Sequence, residues 1–184
     1  MQSDLDPRAL EVLDSWWTIG EEGWFKQSEE TDAMLKERFC YLVSEARTGA
    51  LTSWEKAPHT ALALILLLDQ FPRNLFRGTA QAFASDADAV ALADKVRAQG
   101  FDKAYRGMER SFFYLPYMHA EDMDLQSLAC DLYRSMGNQN AYYYALLHMD
   151  AIRRFGRFPH RNAMLGRTTT PQEEAYMASG GFAA

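Results

Sequence analysis

Apolar residues recur at helical spacing along nearly the whole chain, and the polar, glycine and proline positions between them mark where elements begin and end. Asp6 before Pro7 is an N-cap followed by an N1 proline, whose missing N–H would be orphaned in a first turn anyway. Leu10, Leu13 and Trp16 or Trp17 continue as one stripe until residues 20–23 break it, and Trp24-Phe25 anchors the connection into the core. A second helix is predicted over 31–47, with Leu35, Phe39, Leu42 and Ala46 on one face and Gly49 as its stop. Pro58 opens the way to a third, which is apolar on every side from Ala61 to Leu68, the character of an element packed by neighbours all round. Pro72 should kink or end it, because proline removes a backbone hydrogen bond and clashes with the preceding turn.

A fourth helix is predicted from Ser85, which resembles a capping box with Asp88, to a stop at Gly100. The fifth, 107–119, shares Phe112, Leu115 and His119 on one face, with Pro116 disturbing its last turn. The sixth, 121–136, sets Leu125, Leu128, Leu132 and Met136 in register before Gly137. The seventh, 140–155, lines up Tyr144, His148, Ile152 and Phe155. After a loop over 156–166, Pro171 opens a short last helix through Tyr176, and Gly180-Gly181 begins a frayed tail. No alternating β-branched run, hairpin dipeptide or low-complexity linker interrupts this series. The expectation is an all-α fold of seven or eight helices in a single domain over 1–184, with an ordered core over 7–176 and a tail at 177–184.

Composition narrows the classes of function. The 184 residues are 48% hydrophobic and 24% charged, the balance of a globular protein large enough to bury a core. A formal charge of -6 argues against nucleic acid as a partner, since phosphate contacts need basic surface. The run from Ala61 to Leu68 is far short of the roughly 20 residues a spanning helix requires, so no membrane is expected. The acidic start, Met1 to Asp6, has no apolar stretch after it, and two cysteines are too few for a disulfide scaffold, so a reduced, cytoplasmic setting is expected. Cys40 and Cys130 fall in helix-like apolar segments and read as packed thiols rather than nucleophiles. Exposed aromatics such as Trp54 would favour a homodimer that covers them.

One internal echo stands out. Phe71-Pro72-Arg73-Asn74 with Arg77-Gly78-Thr79 resembles Phe158-Pro159-His160-Arg161-Asn162 with Gly166-Arg167-Thr168, and each follows a helix carrying an acid, Asp69 or Asp150. The longer strings LALILLLDQFPRNLFRGT, YLPYMHAED and RFGRFPHRNAMLGR closely resemble the bacterial and fungal domain-of-unknown-function 924 family. The likeness runs from about Val12 to Tyr176 and includes Trp24-Phe25 and Arg38-Phe39. It implies an all-helical, compact tetratricopeptide-like array of antiparallel helices. It implies no particular activity, so function has to come from the side chains.

Arginines carry the first candidate chemistry. Of 19 basic residues, Arg73, Arg77, Arg153, Arg154, Arg157, Arg161 and Arg167 fall in the two echoing segments. Their planar donor forks match carboxylate or phosphate oxygens, and Asn74 and Asn162 add neutral hydrogen bonds. The bland reading is that these arginines neutralise acids, since Asp69 to Arg73 and Asp150 to Arg154 are spaced i,i+4. The histidines come next: His119 precedes Glu121, His148 interrupts an apolar stripe, and His160 sits in the arginine-rich loop. Imidazole beside carboxylate can act as an acid–base group near neutral pH, though a lone histidine on an apolar face is more often a core residue. No metal motif is matched, no phosphate loop or nucleophile elbow is present, and no cofactor is expected.

Two functional readings follow. In the first, His119, Glu121 and His148 supply acid–base groups, while Arg73, Asn74, Arg154, Arg157, His160, Arg161 and Asn162 bind a small anionic molecule in one pocket. The second, drawn from the tetratricopeptide-like resemblance, is a groove that clamps an acidic peptide or its C-terminal carboxylate. Facing imidazoles in a pocket favour the first; arginines strung along an open groove favour the second.

Overall fold

The computed structural model describes residues 6–182; residues 1–5, within the acidic N-terminal stretch, and residues 183–184, within the expected tail, lie outside them. Every regular element among the described residues is helical, as the periodicity predicts. Contacts between residues divide the chain into two compact units. One runs up to Arg77 and takes in Gln81–Phe113; the other comprises Gly78–Ala80 and the chain from Tyr114 onward.

In the first unit, the Asp6 carboxylate accepts from the Arg8 amide at 3.0 Å and caps α1 (Pro7–Ile19). Gly20, at φ 73, ends that helix, a left-handed conformation that costs a side chain steric strain. The short α2 (Glu21–Trp24) then turns Trp24 inward. There its indole N–H donates to the Trp16 carbonyl at 2.7 Å, and its ring meets Phe112 edge-on at 4.9 Å. The Ser28 hydroxyl caps α3 (Glu29–Arg47), which starts two residues earlier than the periodicity predicts. At the centre lies α4 (Pro58–Leu68), packed against α1, α3 and α6 (Asp86–Ala98), with every side chain from Thr60 to Leu68 buried. Each such leucine or isoleucine contributes about 1.5–3 kcal/mol of burial, so this helix dominates the unit's core.

Pro72 acts one turn upstream of itself. It sits inside α5 (Gln70–Leu75), and the break falls at Asp69 (φ -108, ψ -64), because proline has no N–H to offer the Leu68 carbonyl. The Ser85 hydroxyl supplies the missing donor, reaching the Leu68 oxygen at 2.7 Å in a buried setting. The expected capping box therefore does not form: Ser85 makes no side-chain cap on α6, its hydroxyl being committed elsewhere. Ser85→Ala should cost about 1–3 kcal/mol, the penalty of an orphaned buried carbonyl, measured by urea unfolding. A loss no larger than that of an exposed serine would mean that Leu68 finds another donor.

Two further expectations are corrected here. Trp54 is only 2% exposed, and its indole N–H donates to Asp6 Oδ2 at 2.9 Å, so it offers a partner subunit nothing to cover. Cys40 is exposed rather than packed, whereas Cys130 is buried beside the Met149 sulfur at 3.7 Å.

The predicted fifth helix is split by its proline. Glu109–Phe113 forms a 3-10 turn in the first unit, and α7 (Leu115–His119) opens the second with Pro116 at its N-terminal end, where no N–H is required. The Asp122 carboxylate caps α8 (Met123–Ser135). Its buried face is Gln126, Ala129, Cys130 and Tyr133, not the predicted Leu125, Leu128, Leu132 and Met136, which are half-buried. Gln126 explains the rotation: its amide donates to the carbonyls of Met118 at 2.7 Å and Ala120 at 2.8 Å, closing the end of α7. Asn138 caps α9 (Gln139–Phe155), which packs on α8 and buries Ala141, Ala145, His148, Ala151 and Ile152. Tyr144, predicted on that stripe, is exposed. Pro159–Arg161 is a 3-10 turn, and Thr170 with Glu173 makes a reciprocal capping box for α10 (Pro171–Ala178), two residues longer than predicted.

Candidate functional site

Three short stretches of the second unit bring imidazoles together. The last residue of α7 is His119, the middle of α9 carries His148, and the 3-10 turn after Phe158 carries His160 and Arg161. The rings of His119 and His148 lie 6.1 Å apart. Phe158, fully buried, meets the His148 ring edge-on at 5.6 Å and the His160 ring at 5.6 Å. Phe182 lies against the same group, 3.8 Å from His148 and 5.3 Å from His160.

His148 is 7% exposed, and its Nδ1 lies 2.7 Å from the Tyr144 carbonyl oxygen. A carbonyl only accepts, so Nδ1 bears the hydrogen and Nε2 keeps a lone pair. Burial is the main force lowering the pKa of this imidazole to about 3, and His119, Arg161 and His160 push the same way against the Tyr144 hydrogen bond. It is thus a neutral acceptor at physiological pH. Arg161, 5% exposed, donates from Nη2 to the His119 carbonyl at 3.0 Å, and its guanidinium carbon stands 4.5 Å from the centre of the Phe158 ring. A cation over an aromatic face is itself a favourable pairing.

The remaining acids and bases frame this group. Both Glu121 oxygens accept from Arg167, at 2.8 and 2.7 Å, and Oε1 also takes the Phe158 amide at 2.8 Å. Burial alone would raise the Glu121 pKa, but Arg167 and the Phe158 amide outweigh it and hold the carboxyl below its usual range. A carboxylate gripped in this way ties the Phe158 segment to the start of α8. Arg157 forks onto Glu173 at 2.7 and 3.0 Å and donates to the Thr168 carbonyl. Asn162, fully buried, adds its amide to Glu173 Oε2 at 3.2 Å and to Thr169 Oγ1 at 3.4 Å. Arg154 pairs with Asp150 at 2.7 Å on the exposed side of α9 and lies over the Tyr176 ring.

Arg73 and Asn74 belong to the first unit, where both have internal partners. Arg73 binds Asp86 through two 3.0 Å hydrogen bonds and lies 3.3 Å from Asp69. Asn74 and Arg77 together hold Asp32, at 2.8 Å and at 2.7 and 3.0 Å. The structure therefore gathers His119, His148, His160 and Arg161 within one unit, with Glu121, Arg157 and Asn162 in the frame around them. Periodicity did not point to Phe158, Phe182 or Glu173. For Glu173 a signal existed: Thr170-Pro171-Gln172-Glu173 is a capping-box spelling. Among the described residues, no three His, Cys, Asp or Glu side chains are placed to hold a metal ion, and no helix is long and apolar enough to cross a membrane.

Comparison with known proteins agrees with this architecture. The model of a family described as bacterial protein of unknown function (DUF924) matches residues 12–181. The solved structure of a protein of unknown function from Agrobacterium tumefaciens is 41% identical, covering 95% of this chain and 98% of that one with a TM-score of 0.91. No curated protein matches.

Proposed function

Since the chain belongs to the DUF924 family, a membership that speaks to fold and leaves chemistry to the side chains, we propose that its second unit holds a small anionic molecule at His119, His148, His160 and Arg161. The observation that carries this reading is the pair of imidazoles at 6.1 Å, one of them buried and neutral, beside a buried guanidinium. Two like groups in unlike surroundings take different roles. His148 stays neutral and offers the guest its ring, while its Nε2 lone pair suits a donor group and not a carboxylate oxygen; with a pKa near 3 it is a weak base. His119, half-exposed at the end of α7, is the member placed to exchange protons with water. Arg161 and His160 supply the donors that favour an anion.

Titration of the full chain with sodium acetate and with inorganic phosphate tests the reading. Arg161→Gln should weaken binding about tenfold or more, the value of one charge-assisted hydrogen bond. Unchanged affinity in a folded Arg161→Gln protein would remove this site from consideration. As an independent check, nitrogen NMR of the imidazoles should show His148 as the neutral Nδ1–H form at pH 7 and still neutral at pH 5. A midpoint near the ordinary histidine value of 6.5 would contradict the buried geometry.

A further inference from the structure

The chain following α10 is built, turn by turn, to lay one phenyl ring on the imidazole group. Gly180 adopts φ 84, which only glycine takes without strain, and its amide donates to the Met177 carbonyl at 3.3 Å. Gly181 then passes so close over the Tyr176 ring that an added Cβ would stand 2.6 Å from three of its carbons, and its amide donates to the Tyr176 carbonyl at 2.9 Å. The Phe182 amide donates to the Tyr176 hydroxyl at 3.0 Å. With its backbone held in this way, the Phe182 side chain reaches His148 at 3.8 Å with a 39° tilt, His160 at 5.3 Å near edge-on, and Phe158 at 6.0 Å near edge-on. Three planar rings at these angles form a cradle for a fourth, because aromatic pairs gain from tilted and edge-to-face contact beyond the area they bury. Arg161, over the Phe158 ring, and His119, beside His148, bring cationic and proton-donating groups to the rim of the same cradle.

We infer that the anion taken by this site carries an aromatic ring, as in an arylacetate, and that the chain's own Phe182 competes with that ring for the cradle. The inference rests on the anion-site reading above and adds the chemical class of the guest and a tethered competitor. A tethered ring is present at high effective concentration, so it sets a threshold that a free ligand must exceed. The strap from Gly180 to Phe182 is tied by its backbone amides to Met177 and Tyr176 at the end of α10, so it can lift without disturbing the rest of the unit.

Phenylacetate and acetate titrated into the wild-type chain, Phe182→Ala and Phe182→Leu test it. Phe182→Ala should bind phenylacetate about tenfold tighter than wild type while acetate affinity stays nearly the same, with Phe182→Leu between the two. In the wild-type protein, saturating phenylacetate should speed hydrogen exchange of the Phe182 amide as the strap lifts. An equal gain for acetate would show Phe182 to be a plain steric block and overturn the aromatic preference. No gain for either, in a folded variant, would make Phe182 an ordinary core side chain. If no form binds either anion, the underlying anion site falls and this inference with it. If Phe182→Ala does not fold, unchanged exchange of the wild-type Phe182 amide under saturating phenylacetate overturns the proposal instead.

Discussion

Arg73→Ala is expected to lose about 3–5 kcal/mol of stability, the cost of removing one partner from a buried ion pair. Asp69 is 1% exposed at its side chain and Asp86 19%, and both pair with the one guanidinium, which is 15% exposed. Burial acts to lower the Arg73 pKa, yet the two carboxylates overcome it and raise it, which means that the charged form is the one the fold uses. Removing the arginine takes this partner from two carboxylates, one of them deeply buried, and also releases the Asp69 carbonyl that accepts from Nη1 at 2.5 Å. Arg73→Lys should recover only part of the loss, because a point charge cannot fork onto Asp86. Urea unfolding of the three proteins at pH 7 decides the matter. A variant that melts like wild type but no longer binds acetate would place Arg73 in the ligand site and refute the clamp.

The second large effect concerns Glu173, an acid that is 2% exposed and accepts from Arg157, Asn162 and the Thr170 amide. Chiefly the Arg157 hydrogen bonds, working against burial, pull its pKa from 4.5 to about 2. A pKa depressed on folding makes a stabilising contribution that is complete above the unfolded value and disappears as pH falls through the folded one. Glu173→Gln should therefore be clearly less stable than wild type at pH 7, and the gap should close between about pH 4.5 and 2. The glutamine amide would put an N–H where one carboxylate oxygen now accepts, facing donors that need an acceptor, at a cost of about 1–3 kcal/mol. Denaturant melts of both proteins across this range provide the comparison. Stability curves that run parallel down to pH 2 would mean that the Glu173 charge contributes nothing to the fold.

Carboxylates held jointly by an asparagine and an arginine give the internal echo a physical meaning. In the first segment Asn74 and Arg77 seize Asp32, a carboxylate in the first turn of α3. In the second, Asn162 and Arg157, which lies just before the segment, seize Glu173 in the first turn of α10, while Arg167, the counterpart of Arg77, pairs with Glu121. Each segment also has its i,i+4 pair, Asp69 with Arg73 and Asp150 with Arg154. A carboxylate near a helix start already faces the positive end of the helix dipole, and an arginine fork with an asparagine amide completes its solvation. Most arginines that looked available for a guest thus have an acid of their own, as the i,i+4 spacing hinted.

The sequence by itself determined the helical class, the cap at Asp6, the stops at Gly49, Gly100 and Gly137, and the all-round burial of α4. These are local matters: capping, proline chemistry and periodicity act within a turn or two of chain, so they are written in adjacent residues. Only the tertiary structure decided that Ser85 serves Leu68, that Gln126 turns α8 away from its leucine stripe, and that Phe158 and Phe182 enclose His148. Each of these pairs a polar atom or a ring with a partner on another segment, and the energy that selects the partner comes from satisfying buried groups. Periodicity registers which face is apolar; it carries no record of which distant donor a buried carbonyl will find.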